Sequence, residues 1–126
     1  MIERFGSGGP YEQRIGYSRV VRAGNLVTTA GCTAVIDGEL VHAGDPYRQA
    51  VTAFGIGLDA FAAAGCPRES VVQTRMYITD PAFAEDVGRA HHDTFAAIRP
   101  TTAMIVVAGF IDPRMLVEVE LTGWLE

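Results

Sequence analysis

The order of hydrophobic and polar positions along the chain predicts an alternation of strands and helices. Runs rich in β-branched residues predict strands at residues 17–21, 26–31, 71–79, 101–107 and 116–124. The dipeptide Asp37-Gly38 separates two shorter apolar runs and favours a two-residue hairpin turn. Residues 1–10, which include the segment Gly6-Ser7-Gly8-Gly9-Pro10, predict a loose N-terminal arm.

Two helices are predicted between these strands. Asp45-Pro46 and Asp80-Pro81 are favourable helix starts, because aspartate caps free N–H groups and proline at the first helical position loses no hydrogen bond. Apolar side chains then follow at helical spacing: Val51, Phe54, Leu58 and Phe61 in one helix, and Phe83, Val87, His91, Phe95 and Ile98 in the other. Gly65 and Arg99-Pro100 are the predicted helix ends.

These elements predict an α+β fold, a mixed β-sheet with two helices packed on one face. Alternation in strand 71–79 places Val72, Thr74, Met76 and Ile78 opposite Gln73, Arg75, Tyr77 and Thr79. Glu118 and Glu120 share one face of the last strand, and either can form an ion pair with Arg75. Strand 101–107 is apolar on both faces, which is typical of burial on both sides and favours contact with another copy of the chain.

Length, composition and charge exclude several classes of function. The 126 residues correspond to a single domain, 1–126. All 10 positions counted as Lys or Arg are arginine, which excludes a lysine Schiff base, a lysine general base and a Walker-type lysine. The net charge of −5 disfavours nucleic acid as a partner.

Cysteine, histidine and the apolar runs give further expectations. Cys32 and Cys66 do not form a disulfide framework, and no run resembles a signal peptide or approaches the roughly 20 residues of a membrane span. We therefore expect a cytoplasmic protein with no membrane partner. His91 and His92 point about 100° apart on a helix, so we expect no metal site and interpret His91 as a packed core residue.

Four segments, taken in order and spacing, resemble the RidA/YjgF family of small proteins. They are Gly24 to Gly31 (GNLVTTAG), Val72 to Asp80, the proline-led strand from Pro100, and Val117 to Glu120. The resemblance implies a chorismate-mutase-like fold and a homotrimer whose sheets line an inner barrel. It also implies clefts between subunits that hydrolyse small imines and enamines, such as 2-iminopropanoate, without a cofactor.

The resemblance assigns several candidate site residues. Tyr17 corresponds to the family's pocket tyrosine, Gly31 to the glycine whose backbone contacts the ligand, and Glu118 to the glutamate that positions water. Cys32 follows Gly31 and is interpreted either as a cleft residue or as a small core residue.

The chain departs from the family pattern at three positions. The family's P-x-R-[ST] motif here is Pro100-Thr101-Thr102-Ala103, so Thr102 stands at the position of the carboxylate-binding arginine. Met104 stands where cysteine is common, and Gly88 where active members often carry asparagine. Loss of one partner from a desolvated ion pair costs about 3–5 kcal/mol, whereas one neutral hydrogen bond contributes about 1 kcal/mol.

The chain is therefore predicted not to be an efficient 2-iminopropanoate deaminase, unless Arg14, Arg75 or Arg99 replaces the missing arginine. The sequence leaves open whether the chain is an enzyme. One interpretation is a hydrolase acting on an imine, an enamine or a related carbonyl metabolite. The other is a non-catalytic trimer that binds a small metabolite. A ribonuclease has less support, because the chain is acidic and has no clear pair of acid–base histidines.

Overall fold

The computed structural model describes residues 1–126 and has the predicted α+β composition. The strands are β1 (Ile2–Phe5), β2 (Val20–Ala23), β3 (Leu26–Thr29), β4 (Val35–Ile36), β5 (Glu39–Leu40), β6 (Val71–Ile78), β7 (Thr101–Val106) and β8 (Val117–Trp124). The helices are α1 (Pro10–Ile15), α2 (Pro46–Ala63) and α3 (Ala84–Phe95). None of these helices has the length and apolar character needed to cross a membrane.

Six strands form one mixed sheet in the order β1-β2-β3-β8-β6-β7. Neighbouring strands are antiparallel except β6 and β7, which run parallel because α3 connects them. Strand β7 lies at one end of this order and is therefore an edge strand of the sheet. The remaining strands, β4 and β5, form a separate hairpin. Asp37 and Gly38 both have positive φ, 51° and 79°, as the predicted two-residue turn requires.

The first ten residues do not form the loose arm that their composition suggested. Strand β1 pairs with β2 from Ile2↔Ala23 to Phe5↔Val20, and α1 follows directly. The buried carboxylate of Glu12 accepts hydrogen bonds from the Ser7 N–H, at 2.9 Å, and from the Ser7 hydroxyl. This contact fixes the glycine-rich segment, which a reading of composition alone does not predict.

Helices α2 and α3 pack on one face of the sheet, and both predicted aspartate caps are confirmed. The Asp45 carboxylate accepts from the Arg48 N–H at 3.0 Å, and that of Asp80 from the Ala82 N–H at 2.8 Å. A 3₁₀ turn, Pro81–Phe83, precedes α3, and α3 ends at Phe95, earlier than predicted.

Helix α2 lies very close to the sheet. A Cβ atom on Gly57 would lie 2.8 Å from Cδ1 of Leu121, so glycine at this position allows α2 to pack closely against β8. Phe54 and Phe61 are fully buried as predicted, whereas Val51 is 38% exposed.

Side chains on β8 alternate between the two faces as predicted, with Val117, Val119 and Leu121 buried beneath the helices. Strand β6 differs at its start, where a β-bulge between Val71 and Gln73 shifts the register and leaves Val72 exposed. We call the sheet face opposite α2 and α3 the open face; it carries Arg75, Tyr77, Glu118 and Glu120.

Candidate functional site

The carboxylate of Glu118 lies directly against the backbone of Gly31. A Cβ atom on Gly31 would lie 2.7 Å from Cδ of Glu118 and 2.9 Å from each carboxylate oxygen. The segment after β3 is held against β8 by two backbone hydrogen bonds between Cys32 and Val119, at 2.8 and 2.9 Å. Only glycine at position 31 leaves this space for the Glu118 side chain.

Glu118 is half-buried, and no side chain in the structure forms a hydrogen bond or an ion pair with its carboxylate. Burial raises the pKa of this carboxyl above its ordinary value of 4.5, the negative charge of Glu120 raises it further, and Arg19 opposes the shift. A raised pKa in a partly exposed carboxyl suits it to accept and return a proton.

The backbone of Gly31 is fixed on one side and free on the other. Its carbonyl oxygen accepts a 2.6 Å hydrogen bond from Nη1 of Arg19. Its N–H donates no hydrogen bond within the chain. A free N–H beside an unpaired carboxylate can receive a polar group of a ligand.

Arg19 is the residue of this site that the sequence interpretation missed. Its Nε lies 3.7 Å from the Glu12 carboxylate, and its guanidinium lies 5.7 Å from the centre of the Tyr17 ring. The antiparallel pairing of β2 with β3 could have identified Arg19. The pairing of Val20 with Thr29 places Arg19 beside the segment that contains Gly31. Tyr17 itself is half-buried and precedes β2 rather than beginning it.

The Cys32 side chain does not reach the open face. It is 1% exposed, and its Sγ lies near the position that a Cβ of Gly57 would occupy. Burial raises the pKa of the Cys32 thiol, although Arg19 opposes this, so the group stays protonated. The structure therefore supports the small core cysteine rather than the cleft residue.

Thr102 and Met104 form a second group with Gly88 and α3. The Thr74 hydroxyl donates a hydrogen bond to the Thr102 hydroxyl at 2.7 Å. The Thr74 hydroxyl oxygen also lies 2.7 Å from Nε2 of His91. Met104 packs against the core, with its Cε 3.9 Å from the position of a Cβ on Gly88.

His91 is packed as predicted. Its ring centre lies 5.5 Å from that of Phe54 and 4.9 Å from that of Phe95, and burial lowers the pKa of its imidazole. No cluster of three or more His, Cys, Asp or Glu side chains could hold a metal ion.

The predicted site residues thus fall into two groups on opposite faces of the sheet. Glu118 is on the open face and pairs with Tyr77 of β6, which in turn pairs with Ile105 of β7. Thr102 and Met104 contact groups on the helix side. A single chain does not bring the two groups together.

Among the three alternative arginines, Arg75 does not form the predicted ion pair. Its register partner, Glu120, accepts a hydrogen bond from the Tyr77 hydroxyl instead. Arg75 lines a cavity of about 460 Å³ on the open face. Arg14 lies on α1 with its guanidinium 5.3 Å from the Tyr11 ring centre, and Arg99 lines a cavity of about 240 Å³ beside α3.

Comparison with known proteins identifies the family. Residues 11–124 match the family model described as Endoribonuclease L-PSP. An uncharacterized protein of Streptomyces coelicolor is 42% identical over 123 residues, which covers 98% of this chain and 92% of that protein.

Solved structures agree with this match. A Mycobacterium tuberculosis member of the YjgF/YER057c/UK114 family is 36% identical, with a TM-score of 0.90 over 99% of this chain and 100% of that chain. Escherichia coli TdcF with bound serine has a TM-score of 0.82 at 22% identity, over 100% and 98% of the two chains, and it shows the shared fold. The chain therefore belongs to the RidA/YjgF/L-PSP family and has its chorismate-mutase-like fold.

Proposed function

We propose that the chain forms a homotrimer whose clefts between subunits bind and hydrolyse a small imine, enamine or related carbonyl metabolite. The observation that carries this proposal is the unpaired, half-buried carboxylate of Glu118 beside the free N–H of Gly31. A carboxyl with a raised pKa next to a free backbone donor is suited to binding a polar ligand and activating water.

The proposed chemistry requires only water. A water molecule adds to the carbon of the C=N bond, and the Glu118 carboxylate accepts the proton that this water loses. The protonated carboxyl then returns this proton to the nitrogen, which gives a carbinolamine. Glu118 next accepts the hydroxyl proton of the carbinolamine and passes it to the nitrogen, so that the C–N bond breaks, the nitrogen leaves as ammonia and the carbon retains the oxygen as a carbonyl. The Gly31 N–H donates to a polar atom of the ligand and holds it beside Glu118.

Association of chains would complete this cleft. Edge strand β7 exposes Ile105 and Val106, at 36% and 52%, and an exposed apolar edge favours pairing with another chain. A neighbouring subunit could bring Thr102 and Met104 of its own β7 towards Glu118 of the first. This arrangement accounts for site residues that lie on opposite faces within one chain.

Threonine at position 102 makes 2-iminopropanoate, whose carboxylate the family's arginine binds, a less suitable substrate for this chain. A threonine hydroxyl cannot replace the bidentate, charged contact that an arginine makes with a carboxylate. The chain is consequently proposed to be inefficient towards 2-iminopropanoate. The serine in TdcF supports a ligand of amino-acid size for a cleft in this fold.

A non-catalytic metabolite-binding trimer is the second candidate function. It is favoured by the absence of a second proton-exchanging group in contact with Glu118, since the Cys32 thiol is buried and protonated. RNA cleavage, which the name of the family model suggests, has less support because the net charge is −5 and no lysine is present.

The test is release of ammonia and a carbonyl product from imines generated enzymatically in the assay. We expect turnover on a panel of imines, and slower release of ammonia and pyruvate from aminoacrylate than an arginine-bearing family member gives. Aminoacrylate turnover equal to that of such a member would contradict the predicted specificity. Tight metabolite binding with no turnover on the whole panel would favour the non-catalytic trimer.

A further inference from the structure

We infer that Arg19 is a positioning residue of the candidate site, which fixes the Gly31 backbone beside Glu118 and is itself held in place by Glu12 of α1. This inference rests on the proposed function and deepens it, because it names the side chain that orients the ligand-facing backbone. The Arg19 side chain is only 15% exposed, and its guanidinium already contacts the Gly31 carbonyl oxygen and the Glu12 carboxylate. Arg19 therefore acts through these groups and not on the ligand itself.

Arg19 fixes the peptide groups on either side of the free Gly31 N–H. Its carbonyl oxygen accepts a hydrogen bond from the Ala30 N–H at 2.9 Å, and its Nη1 donates to the Gly31 carbonyl oxygen at 2.6 Å. The Gly31–Cys32 peptide group is held at its other end as well, because its N–H donates to the Val119 carbonyl at 2.8 Å. Of these three peptide groups, only the one between Ala30 and Gly31 keeps a free N–H, and fixed groups flank it on both sides.

Glycine at position 31 makes such an anchor necessary. Glycine adopts a wide range of backbone conformations, and a side chain that would restrict them is excluded because Glu118 fills the space. The residue that makes room for the carboxylate therefore also loosens the backbone. The hydrogen bond from Arg19 restricts it again, and a charged donor makes this bond stronger than one between neutral groups.

Glu12 determines where the guanidinium lies. The Glu12 side chain is 9% exposed, and its Oε2 lies 3.7 Å from Nε of Arg19. Ser7 donates to the same carboxylate through its N–H and its hydroxyl. Burial raises the pKa of the Glu12 carboxyl, but the hydrogen bonds from Ser7 and the charge of Arg19 outweigh burial and hold this pKa below its ordinary value of 4.5. An ionised carboxylate in a fixed position orients the planar guanidinium next to it.

Arg19 also acts on Glu118 through its charge. Ionisable groups surround this carboxylate on four segments of the chain: Glu120 on β8, Arg75 and Tyr77 on β6, Cys32 after β3, and Arg19 before β2. Among them, the charge of Glu120 raises the pKa of Glu118 and the charge of Arg19 lowers it. The same guanidinium thus fixes the backbone donor and moderates the proton affinity of the carboxylate.

The pKa of Glu118 tests this inference without any ligand, by NMR titration of its carboxyl carbon in the isotope-labelled full chain. Arg19→Gln removes a positive charge and should raise this pKa. Glu12→Gln removes a negative charge and leaves Arg19 unpaired, so it should lower the pKa. Both variants break a buried ion pair and should unfold at a lower temperature than the parent. A merely structural role predicts the same loss of stability without opposite pKa shifts.

Arg19→Lys separates the charge of Arg19 from its contacts. Lysine keeps the positive charge but has one nitrogen in place of the two that contact Gly31 and Glu12. This variant should keep the parental pKa of Glu118, shift the Gly31 amide signal, and lower kcat/KM for imine hydrolysis about tenfold or more, as expected for loss of a charge-assisted hydrogen bond. The matched control Arg48→Gln, at an exposed arginine on α2, should leave the pKa and kcat/KM unchanged.

An unchanged pKa of Glu118 in Arg19→Gln, or shifts in the same direction in Arg19→Gln and Glu12→Gln, would overturn the inference. If Arg19→Gln does not fold, the other two variants decide. A pKa of Glu118 that is not lowered in Glu12→Gln, or parental kcat/KM with an unmoved Gly31 amide signal in Arg19→Lys, would then overturn it. Absence of imine turnover by the parent, together with the predicted pKa shifts, would contradict the proposed hydrolysis and support the role of Arg19.

Discussion

Gly31 and Glu118 occupy space that has no room for one additional methyl group, because a Cβ on Gly31 would lie 2.7 Å from the carboxyl carbon of Glu118. The two residues are 87 positions apart in the sequence, and the Cys32–Val119 backbone pairing brings them together. The Glu118 carboxylate can therefore occupy its position only because residue 31 has no side chain.

Gly31→Ala is therefore expected to displace the Glu118 side chain. Overpacking of this kind costs about 1–3 kcal/mol of folding free energy, which chemical denaturation measures. Affinity for a small ligand should fall at the same time. The control is Gly55→Ala in α2, where no atom lies within 4 Å of the new Cβ and alanine should stabilise the helix by about 0.5–1 kcal/mol. A Gly31→Ala variant that is as stable as the parent, or is stabilised like the control, would contradict the close contact.

Glu118→Gln should raise stability at neutral pH by about 1 kcal/mol, the usual size of one favourable substitution. The pKa of Glu118 is raised in the folded state, so the parent is relatively most stable below the ordinary value of 4.5 and loses stability as the pH rises through the folded-state pKa. Thermal unfolding at several pH values should show a gain that disappears in acid. The exposed Glu126→Gln serves as the control, and a pH-independent gain would count against a raised pKa.

His91 should titrate below its ordinary value of 6.5, because burial disfavours the imidazolium. A histidine pKa lowered by folding contributes stability that is complete above 6.5 and is lost as the pH falls towards the folded-state pKa. NMR titration of the ring measures this value directly. A pKa of His91 at or above the ordinary value of 6.5 would contradict the burial argument.

Ile105→Lys should disrupt association of the chains. Ile105 lies on edge strand β7 and is 36% exposed in the single chain, so burial of a charge at a subunit contact would be strongly unfavourable. Sedimentation should give a trimer for the parent and a smaller species for the variant. The matched control is Ile36→Lys, at an exposed position on the separate β4–β5 hairpin, which should leave association unchanged. A parent that sediments as a monomer would remove the basis for a cleft between subunits.

Local patterns predicted much of the fold because short-range chemistry determines it. The Asp45 and Asp80 caps, the Asp37-Gly38 turn and the alternation along β8 each depend on a few neighbouring residues. The order of the segments that resemble the family also predicted correctly which family the chain belongs to.

Long-range polar contacts could not be predicted in the same way. The pairing of β1 with β2 joins segments that lie before and after α1. Glu12 of α1 contacts Ser7 and Arg19, which also lie on either side of this helix, and no periodic pattern in the sequence indicates these contacts. Arg75 shares a face with Glu118, but the Tyr77 hydroxyl competes for the neighbouring Glu120 carboxylate. Period-two alternation indicates which side chains share a face and does not decide which of them form bonds.

The most direct test of a functional carboxylate at Glu118 compares imine turnover and ligand affinity in the parent and Glu118→Gln. The amide preserves shape and removes the proton acceptor, so we predict a loss of ammonia release of about 100-fold or more, in the range typical of general acid–base catalysis. Affinity for the carbonyl product of that imine, measured on the same samples, should change little. Turnover that persists in Glu118→Gln at the parental rate would contradict the proposed role of this residue.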